Sequence, residues 1–424
     1  MLNVDISNIW CSVSLPNLLE SEQEIAAAHA ALMDAKGADF LTWLDGDCSQ
    51  EAERVAQSAE KIRSTAQTLL VVGSASAVLG ARAVLELLRG REHNLRPGVK
   101  ILFAGDHLST QAWQELIELL EGQDFAVQIV GRGGEEMQTA VAVRALRWLL
   151  ERRYGTEKAR ERVFVTTDPT RGFLRQLSIE EGYTAFNLPR TLAGHASALA
   201  PAAMLCLAVA GVDFRSVLEG AAEARLAMES RSFENPAWLY AAARMILARK
   251  GKRVEYLSAA EPDAWCLCRW WQQLFGGRAC FGGDGLVPAA AEIPADLHQL
   301  HELLSDGMEP IVQTVLRFSP PVQRIPVEMD WKNLDGLNYL EGFTLDYVQE
   351  QAVAGAIQAG VDGGVPIITV DCGDLDSRTA GQMLYFFELS SCLCAGMMGR
   401  DLYEDAPAAA YASTMEKLLG SQNT

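Results

Sequence analysis

The stretch Thr68–Leu88, TLLVVGSASAVLGARAVLELL, decides the fold class. An unbroken apolar run from Leu69 to Val72 stops at Gly73, and a turn of small residues follows it. Apolar residues then recur at helical spacing around Gly80. This order predicts a buried strand, a tight loop and a helix. Backbone N–H groups at the start of such a helix favour an anion, but a plain connecting turn without a ligand explains the pattern equally well.

The same alternation continues down the chain and predicts parallel sheets covered by helices. The strands predicted in a first unit are Leu69–Gly73, Val99–Ala104, Ala126–Val130, Val163–Thr167 and Thr184–Leu188. Those predicted in a second unit, which looks like a diverged copy of the first, are Arg253–Leu257, Leu286–Val287, Ile311–Arg317, Val327–Met329 and Ile367–Val370. Ligands of parallel sheets bind beyond the carboxyl ends of the strands. For the first unit these are loops 73–78, 105–109, 131–136 and 168–172.

The segments outside the two units are predicted to be helical. Residues 1–65 contain an amphipathic helix from Ser21, where Ser21 and Glu24 have the spacing of a capping box. The uncharged run Ala196–Val212 is a marginal length for a membrane span and contains Pro201, so we expect a buried helix. The expected division is an N-terminal helical segment (1–65) packed on the larger domain, two α/β domains (66–195 and 196–405), and a C-terminal helix and tail (406–424).

Composition narrows the classes of partner and cofactor. The 424 residues carry a formal net charge of −19, which argues against binding nucleic acid or anionic membranes. Nine cysteines are scattered, and the pairs Cys266-x-Cys268 and Cys392-x-Cys394 lack partners at zinc spacing. We therefore expect no metal and a reducing, cytoplasmic compartment. The first twenty residues lack Lys and Arg and an unbroken apolar core, so no signal peptide is predicted.

Colinear stretches along nearly the whole chain resemble the glucose-6-phosphate isomerase family, in its shorter bacterial form. The stretches are GADFLTWLD (37–45), SAEKI (58–62), LLVVG…LGARA (69–83), LLEGQDF (119–125), TTD…RG (166–172), ENPAWLYA (234–241), WWQQLFG (270–276), ADLHQL (295–300), LDGLNYLEG (334–342), DGGVPIITV (362–370) and YFFELS (385–390). The resemblance implies two sugar-isomerase (SIS) domains, each a parallel sheet flanked by helices. It also implies a homodimer with the active site at the interface.

The family reaction that the resemblance implies interconverts an aldose phosphate and a ketose phosphate. A base moves a proton between C1 and C2 through an enediolate, after an acid–base pair opens the ring. Hydroxyl and backbone N–H groups hold the phosphate, and no cofactor is needed.

The catalytic positions implied by the family are mostly substituted here. The Glu that serves as base, in an E-S-x-G-K loop, aligns with Gly277. The Arg of G-G-R-x-S, which supports the enediolate charge, aligns with His195, and the ring-opening Lys aligns with Ala412. The ring-opening His is retained as His298. Without a base, proton transfer loses a group typically worth about 10²–10⁴-fold.

The loops that bind phosphate in the family are also altered. The first loop keeps Gly73, but its phosphate-facing serine is Ala77, and Ser74 and Ser76 lie at shifted positions. The second, S-K-S-G-T-T-x-E in the family, reads GRGGEEMQ (131–138), with Arg132 and Gly134 followed by Glu135 and Glu136. One interpretation is that these two acids lie in the first turn of a helix, where the helix dipole stabilises their charge. The other is that they repel a phosphate, with roughly 4 kcal/mol for each pair of unit charges about 4 Å apart.

Three hypotheses follow. The favoured one is an isomerase-like protein that has lost the reaction and binds a sugar or a sugar-phosphate-like molecule. The second is an isomerase that uses His298 with Asp284 or Glu292 as relocated acids. The third is a sugar-phosphate sensor without turnover. The motif His298-x-x-His301-Glu302 has two interpretations, a metal site and a solvated histidine, and the solvated histidine is favoured.

Overall fold

The structure is a computed structural model that describes residues 2–34, 48–133, 136–188, 196–277, 285–296, 310–400 and 410–420. These residues contain two five-stranded sheets. The strands are β1 (Asn3–Asp5), β2 (Thr68–Val72), β3 (Lys100–Ala104), β4 (Phe125–Val130), β5 (Val163–Thr167), β6 (Thr184–Asn187), β7 (Val254–Ala259), β8 (Val287–Glu292), β9 (Ile311–Phe318) and β10 (Ile367–Gly373).

The helices of the described residues connect these strands. They are α1 (Leu15–Asp34), α2 (Cys48–Thr65), α3 (Ala75–Arg89), α4 (Thr110–Leu120), α5 (Met137–Tyr154), α6 (Thr156–Arg160), α7 (Phe173–Glu181), α8 (Pro201–Val209), α9 (Phe214–Ala227), α10 (Pro236–Arg249), α11 (Trp265–Gly276), α12 (Leu345–Asp362), α13 (Ser377–Met397) and α14 (Ala410–Leu418).

The first sheet has the order β3-β2-β4-β5-β6, and every neighbouring pair is parallel. All five residues of the interior strand β2 are buried. Helices cover both faces of such a sheet, so its strands are continuous apolar runs instead of alternating patterns. One face packs on α4, α5 and α7. The sequence-based prediction of parallel sheets flanked by helices is confirmed.

The second sheet has the order β1-β10-β9-β7-β8. Strands β10, β9, β7 and β8 are parallel neighbours, whereas β1 runs antiparallel to β10, with Val4 opposite Val370. The sequence did not predict β1, because residues 1–65 were expected to be mostly helical. This strand places the N-terminal segment on the edge of the second sheet.

Close helix packing joins the two units. Helix α3 of the first unit lies against α11 of the second. A Cβ on Gly80 would lie 2.7 Å from the Ala198 Cβ and 3.3 Å from Trp270 Nε1. Glycine at this position therefore lets α3 approach the start of the second unit, and one continuous apolar core extends through both units.

Three local predictions differ from the structure. Val327–Met329 was predicted as a strand, but these residues have no strand structure and lie in an exposed excursion between β9 and α12. Ser21 was predicted to cap a helix, but α1 begins six residues earlier, at Leu15. The Ser21 hydroxyl instead donates to the Leu18 carbonyl inside that helix, at 2.7 Å. The helix predicted from Pro294 is a turn over Pro294–Asp296, and its remainder lies outside the described residues.

Candidate functional site

The carboxyl edge of the first sheet brings four loops together, as the sequence predicts. Backbone hydrogen bonds connect them in pairs. The Gly73 N–H donates to the Ala104 carbonyl at 3.1 Å, and the Gly131 N–H donates to the Thr166 carbonyl at 3.0 Å. The Asp168 N–H donates to the Arg132 carbonyl at 3.2 Å. These bonds hold the loop after β2 to the end of β3, and the loop after β4 to the loop after β5.

The first loop presents two hydroxyls at the start of α3. Ser74 is the N-cap residue of this helix, but its side chain makes no cap hydrogen bond. Its Oγ lies 3.0 Å from the Ser76 Oγ instead, and both serines are half-buried. Ala77 is buried in the core. The loop therefore keeps a pair of hydroxyls beside a helix N-terminus, although the phosphate-facing position itself is a methyl group.

The second loop contributes an acid at the start of α5. Glu136 was predicted to lie in the first turn of a helix. It is the N-cap residue of α5, one position before that turn, and its exposed side chain makes no cap hydrogen bond. A carboxylate at a helix N-terminus is favoured by the dipole. The same carboxylate disfavours an anion there. Gly134 and Glu135 lie outside the described residues.

Glycines set the close approach of the second and fourth loops. Gly172 has φ +98°, a conformation that L side chains rarely adopt, and a Cβ on it would lie 2.9 Å from the Gly133 Cα. The Leu174 N–H donates to the Gly133 carbonyl at 3.4 Å. The glycine of the TTD…RG stretch, Gly172, therefore has a packing reason.

Asp168 is a site residue that the sequence analysis did not single out. Its Oδ1 accepts hydrogen bonds from the Thr170 N–H at 2.7 Å, from the Thr170 hydroxyl at 2.6 Å and from the Arg171 N–H at 3.3 Å. Burial alone would raise the pKa of this carboxyl, but these hydrogen bonds lower it below its ordinary value. Asp168 is thus an ionised residue that positions the fourth loop. The Asp-x-Thr spacing of an Asx-type turn was the available sequence signal.

The position of the family's base carries no functional group. Helix α11 ends at Gly276, and Gly277 follows it as the C-cap residue, with its N–H donating to the Gln273 carbonyl at 3.3 Å. Ala412 lies in α14, and Lys417 is an exposed residue in the last turn of that helix. Neither Gly277 nor Ala412 can transfer a proton through its side chain.

Glu292, one of the suggested substitute acids, is already engaged. Its carboxylate pairs with the Arg91 guanidinium, and its backbone N–H donates to Asp296 Oδ2 at 2.8 Å. An ion pair favours the charged form of a carboxylate and holds it in place. Asp284, His298 and His195 lie outside the described residues.

The segment that carries the family's arginine position ends beside the first loop. Ser197, the serine of that motif, is buried, and its hydroxyl donates to the Ala77 carbonyl at 3.5 Å. The first loop therefore lies against the beginning of the second unit.

Within the described ranges, no three His, Cys, Asp or Glu side chains form a group that could hold a metal ion. No helix among the described residues is long and apolar enough to cross a bilayer.

Comparison with curated proteins places the chain beside full-length relatives. It is 35% identical over 427 residues to the glucose-6-phosphate isomerase of Bacillus cytotoxicus, covering 98% of this chain and 95% of the relative. It is 37% identical over 390 residues to the glucose-6-phosphate isomerase of Staphylococcus saprophyticus, covering 91% of this chain and 88% of the relative. No protein-family model matches the chain.

Solved structures share the fold at lower identity. A hypothetical protein from Thermus thermophilus matches with a TM-score of 0.84 and 21% identity, covering all of both chains. A glucose-6-phosphate isomerase from Chlamydia trachomatis matches with a TM-score of 0.74 and 14% identity, covering 94% of this chain and 79% of the other. These structures contain the same two-sheet architecture.

Proposed function

The chain belongs to the glucose-6-phosphate isomerase family, and we propose that it is a member whose isomerase reaction is lost or strongly impaired. In this proposal the protein keeps the family scaffold and binds a sugar or a sugar-phosphate-like small molecule at the carboxyl edge of the first sheet. The identity across nearly the whole chain supports the common scaffold. The substitutions at the catalytic positions support the loss of turnover.

The observation that carries the proposal is Gly277 at the end of α11. Aldose–ketose isomerisation needs a base within reach of the carbon-bound proton, and general-base catalysis contributes about 10²–10⁴-fold. Glycine at this position supplies no carboxylate. The engaged state of Glu292, which pairs with Arg91, removes one substitute, so the described residues favour the impaired form over a relocated catalytic acid.

The first loop and the N-terminus of α5 support a ligand that is less anionic than a phosphate dianion. The hydroxyls of Ser74 and Ser76 can donate hydrogen bonds to sugar hydroxyls or to a phosphate. The carboxylate of Glu136 works against a phosphate at the neighbouring helix start. Arg132 supplies a positive charge on the same loop. A neutral or weakly anionic sugar satisfies this mixture better than a dianion does.

A coupled assay on fructose 6-phosphate with the purified full-length chain tests the loss of activity. We expect turnover at least about 10²-fold below the ordinary range for enzymes, which is roughly 1–10³ s⁻¹ in general. Turnover within that range that is abolished by His298→Ala would overturn the proposal. It would establish instead an isomerase with relocated groups.

Restoring the carboxylate at position 277 is the complementary experiment. Gly277 has φ −76° and ψ −99°, and this ψ lies outside the helical range that side-chain-bearing residues favour, so circular dichroism checks the folding of each variant. We expect Gly277→Glu to raise isomerase turnover above that of the parent, by up to about 10²-fold because Ala412 and His195 remain substituted. Gly277→Gln is the matched control, since it adds the same volume without a base. Equal turnover in the two variants would show that the carboxylate is not the missing element.

We also propose that the protein is a cytoplasmic homodimer divided into residues 1–65, 66–195, 196–405 and 406–424.

The excursion 319–344, here called the arm, supports the dimer. Its exposed apolar side chains include Trp331 and Leu334, which are 81% and 86% exposed. The Asn338 side chain bonds to Asp330 at 2.8 and 3.0 Å and orders the arm internally. Soluble monomers rarely expose so many large apolar side chains together, and a second copy of the chain is the occupant that the family expectation names.

A further inference from the structure

The four parallel strands of the second sheet have the same order as the first four strands of the first sheet. In the first, β2 lies between β3, which follows it in the chain, and β4, which comes after β3. In the second, β7 lies between β8 and β9 in the same manner. In each sheet the next strand along the chain lies on one side of the first parallel strand, and the strand after it lies on the other side, so the strand order reverses there. Ligands of open α/β sheets bind in the crevice outside the carboxyl ends of the strands at such a reversal.

The crevice at the reversal point of the second sheet is a formed cavity. It has a volume of about 430 Å³ and lies between α12 and the carboxyl ends of β7, β9 and β10. Small-molecule sites have volumes of about 300–1,000 Å³. The candidate site on the first sheet is built from other loops, so the cavity is a second, separate location.

The charges around the cavity are mainly negative. Glu261, Asp346, Glu350 and Asp371 line it. Arg317 lies 3.4 Å from Glu350 and 3.6 Å from Asp371, so it compensates the acids at the mouth. Arg324 lies 3.7 Å from the Asp346 carboxylate. Four carboxylates against two guanidinium groups leave an excess of negative charge, which disfavours a phosphorylated ligand.

Asp346 lines the cavity, and one of its carboxylate oxygens is buried behind the cavity wall. The Asp346 side chain is only 12% exposed, and its buried Oδ1 has no hydrogen-bond partner within the described part of the chain. Leaving such an atom unpaired is costly. Burial, followed by the neighbouring Asp263, raises the pKa of Glu261. The excess of carboxylates that line the cavity favours a ligand with several N–H and O–H donors, at least one of them cationic.

Apolar residues also line the cavity, together with the neutral polar side chains of Ser319, Gln323 and Gln349. Phe318 and Val353 are among the cavity residues, and Val353 belongs to the core that covers this face of the sheet. A cavity with both apolar surface and several acceptors suits the C–H groups and the hydroxyls of a sugar ring. We propose that this cavity binds an amino sugar without a phosphate, with its ammonium group directed to Asp346 and Glu350.

Isothermal titration of the full-length protein with glucosamine tests the proposal, with N-acetylglucosamine and glucosamine 6-phosphate as comparison probes. Glucosamine should bind most tightly, because acetylation removes the positive charge and phosphorylation adds a negative one. Asp346→Asn and Glu350→Gln should each weaken glucosamine about tenfold, as the loss of one charge-assisted hydrogen bond does. Glu161→Gln, the same charge change at an exposed site in the first unit, should leave the affinity unchanged.

Two results would overturn the proposal. One is the absence of glucosamine binding by the parent protein. The other is binding that Glu136→Gln alters and that Asp346→Asn and Glu350→Gln leave intact, because it would assign the ligand to the first sheet. Circular dichroism checks the folding of each variant, and Glu350→Gln carries the test if Asp346→Asn does not fold. Detection of isomerase turnover would contradict the proposed function without changing either result.

Discussion

At the scale of single residues, His29 links α1 to α10 inside the core. It is fully buried, and its Nδ1 accepts a hydrogen bond from Trp238 Nε1 at 2.7 Å. The neutral ring therefore carries its proton on Nε2, which has no hydrogen-bond partner among the described residues. Burial, and then the charge of Arg231, lowers the pKa of His29 below its ordinary value of 6.5. The folded protein thus holds this imidazole in its neutral form.

Mild acid should destabilise the protein through His29. The unfolded chain binds a proton that the folded chain excludes, so the stabilisation is complete above about pH 6.5 and is lost as the pH falls toward the lowered pKa. One such group changes the free energy of unfolding by at most about 1.4 kcal/mol per pH unit. Urea unfolding at about pH 7.5 and about pH 5.5 measures it. The loss between the two should be smaller in His29→Gln than in the parent, and equal losses would contradict this role.

The residues of the candidate site were predictable where their chemistry can be read from one position. Ala77 and Gly277 lack the functional groups that the family has at these positions, and the residue type alone is enough to show that loss. Asp168 was missed because its importance depends on hydrogen bonds from Thr170 and Arg171 in a loop whose conformation no periodicity indicates. The partner of Glu292 was also out of reach, since Arg91 lies far away in the sequence.

At the scale of elements, α9 and α13 pack through glycines on both helices. A Cβ on Gly220 would lie 1.9 Å from the Arg378 carbonyl oxygen, and a Cβ on Gly381 would lie 1.8 Å from the Val217 carbonyl oxygen. The obstructing atoms belong to the backbone, so a side-chain rotation cannot relieve the contact. The two helices would have to move apart.

Gly220→Ala should therefore lower the free energy of unfolding by about 1–3 kcal/mol, as overpacking of a core does. Gly355→Ala is the matched control. Gly355 lies within α12, is exposed, and has no atom within 4 Å of its Cβ position, so alanine should stabilise the helix by up to about 1 kcal/mol. Opposite shifts of the urea midpoint are expected. Equal or parallel shifts would mean that the close approach does not limit stability.

The long elements were predictable and the short or exposed ones were not. Val163–Thr167 was predicted with the bounds that the structure has, because a buried parallel strand is one continuous apolar run. Strand β1 has three residues and depends on an edge far along the chain, so no local pattern marks it. Val327–Met329 resembles a strand but has no neighbouring strand to pair with among the described residues of the arm; the adjacent Pro326 forms a single bridge to Thr344.

At the scale of the whole molecule, the arm should determine the oligomeric state. A few residues at an interface, tryptophan prominent among them, cost about 2 kcal/mol or more each when truncated. The double variant Trp331→Ser/Leu334→Ser should raise the dissociation constant of the dimer by more than about 10²-fold. Light scattering after size exclusion should then give one 46.2 kDa chain, where the parent gives twice that mass.

Trp148→Ser is the matched control for the arm, because Trp148 is an exposed tryptophan on α5. It should leave the dimer intact. A monomeric parent, or a double variant that remains dimeric, would be incompatible with the arm as the interface.

The pairing of β1 with β10 has a consequence for synthesis on the ribosome. Val370, the partner of Val4, is made only after the whole first unit and most of the second. At about 5–20 residues per second, the first strand waits on the order of tens of seconds for its partner, while the first sheet, whose strands are neighbours in sequence, can already assemble. Contacts between distant residues form slowly. Strand β10, the partner edge, is made only late in translation, so β1 stays unpaired over a period in which the first unit can already fold.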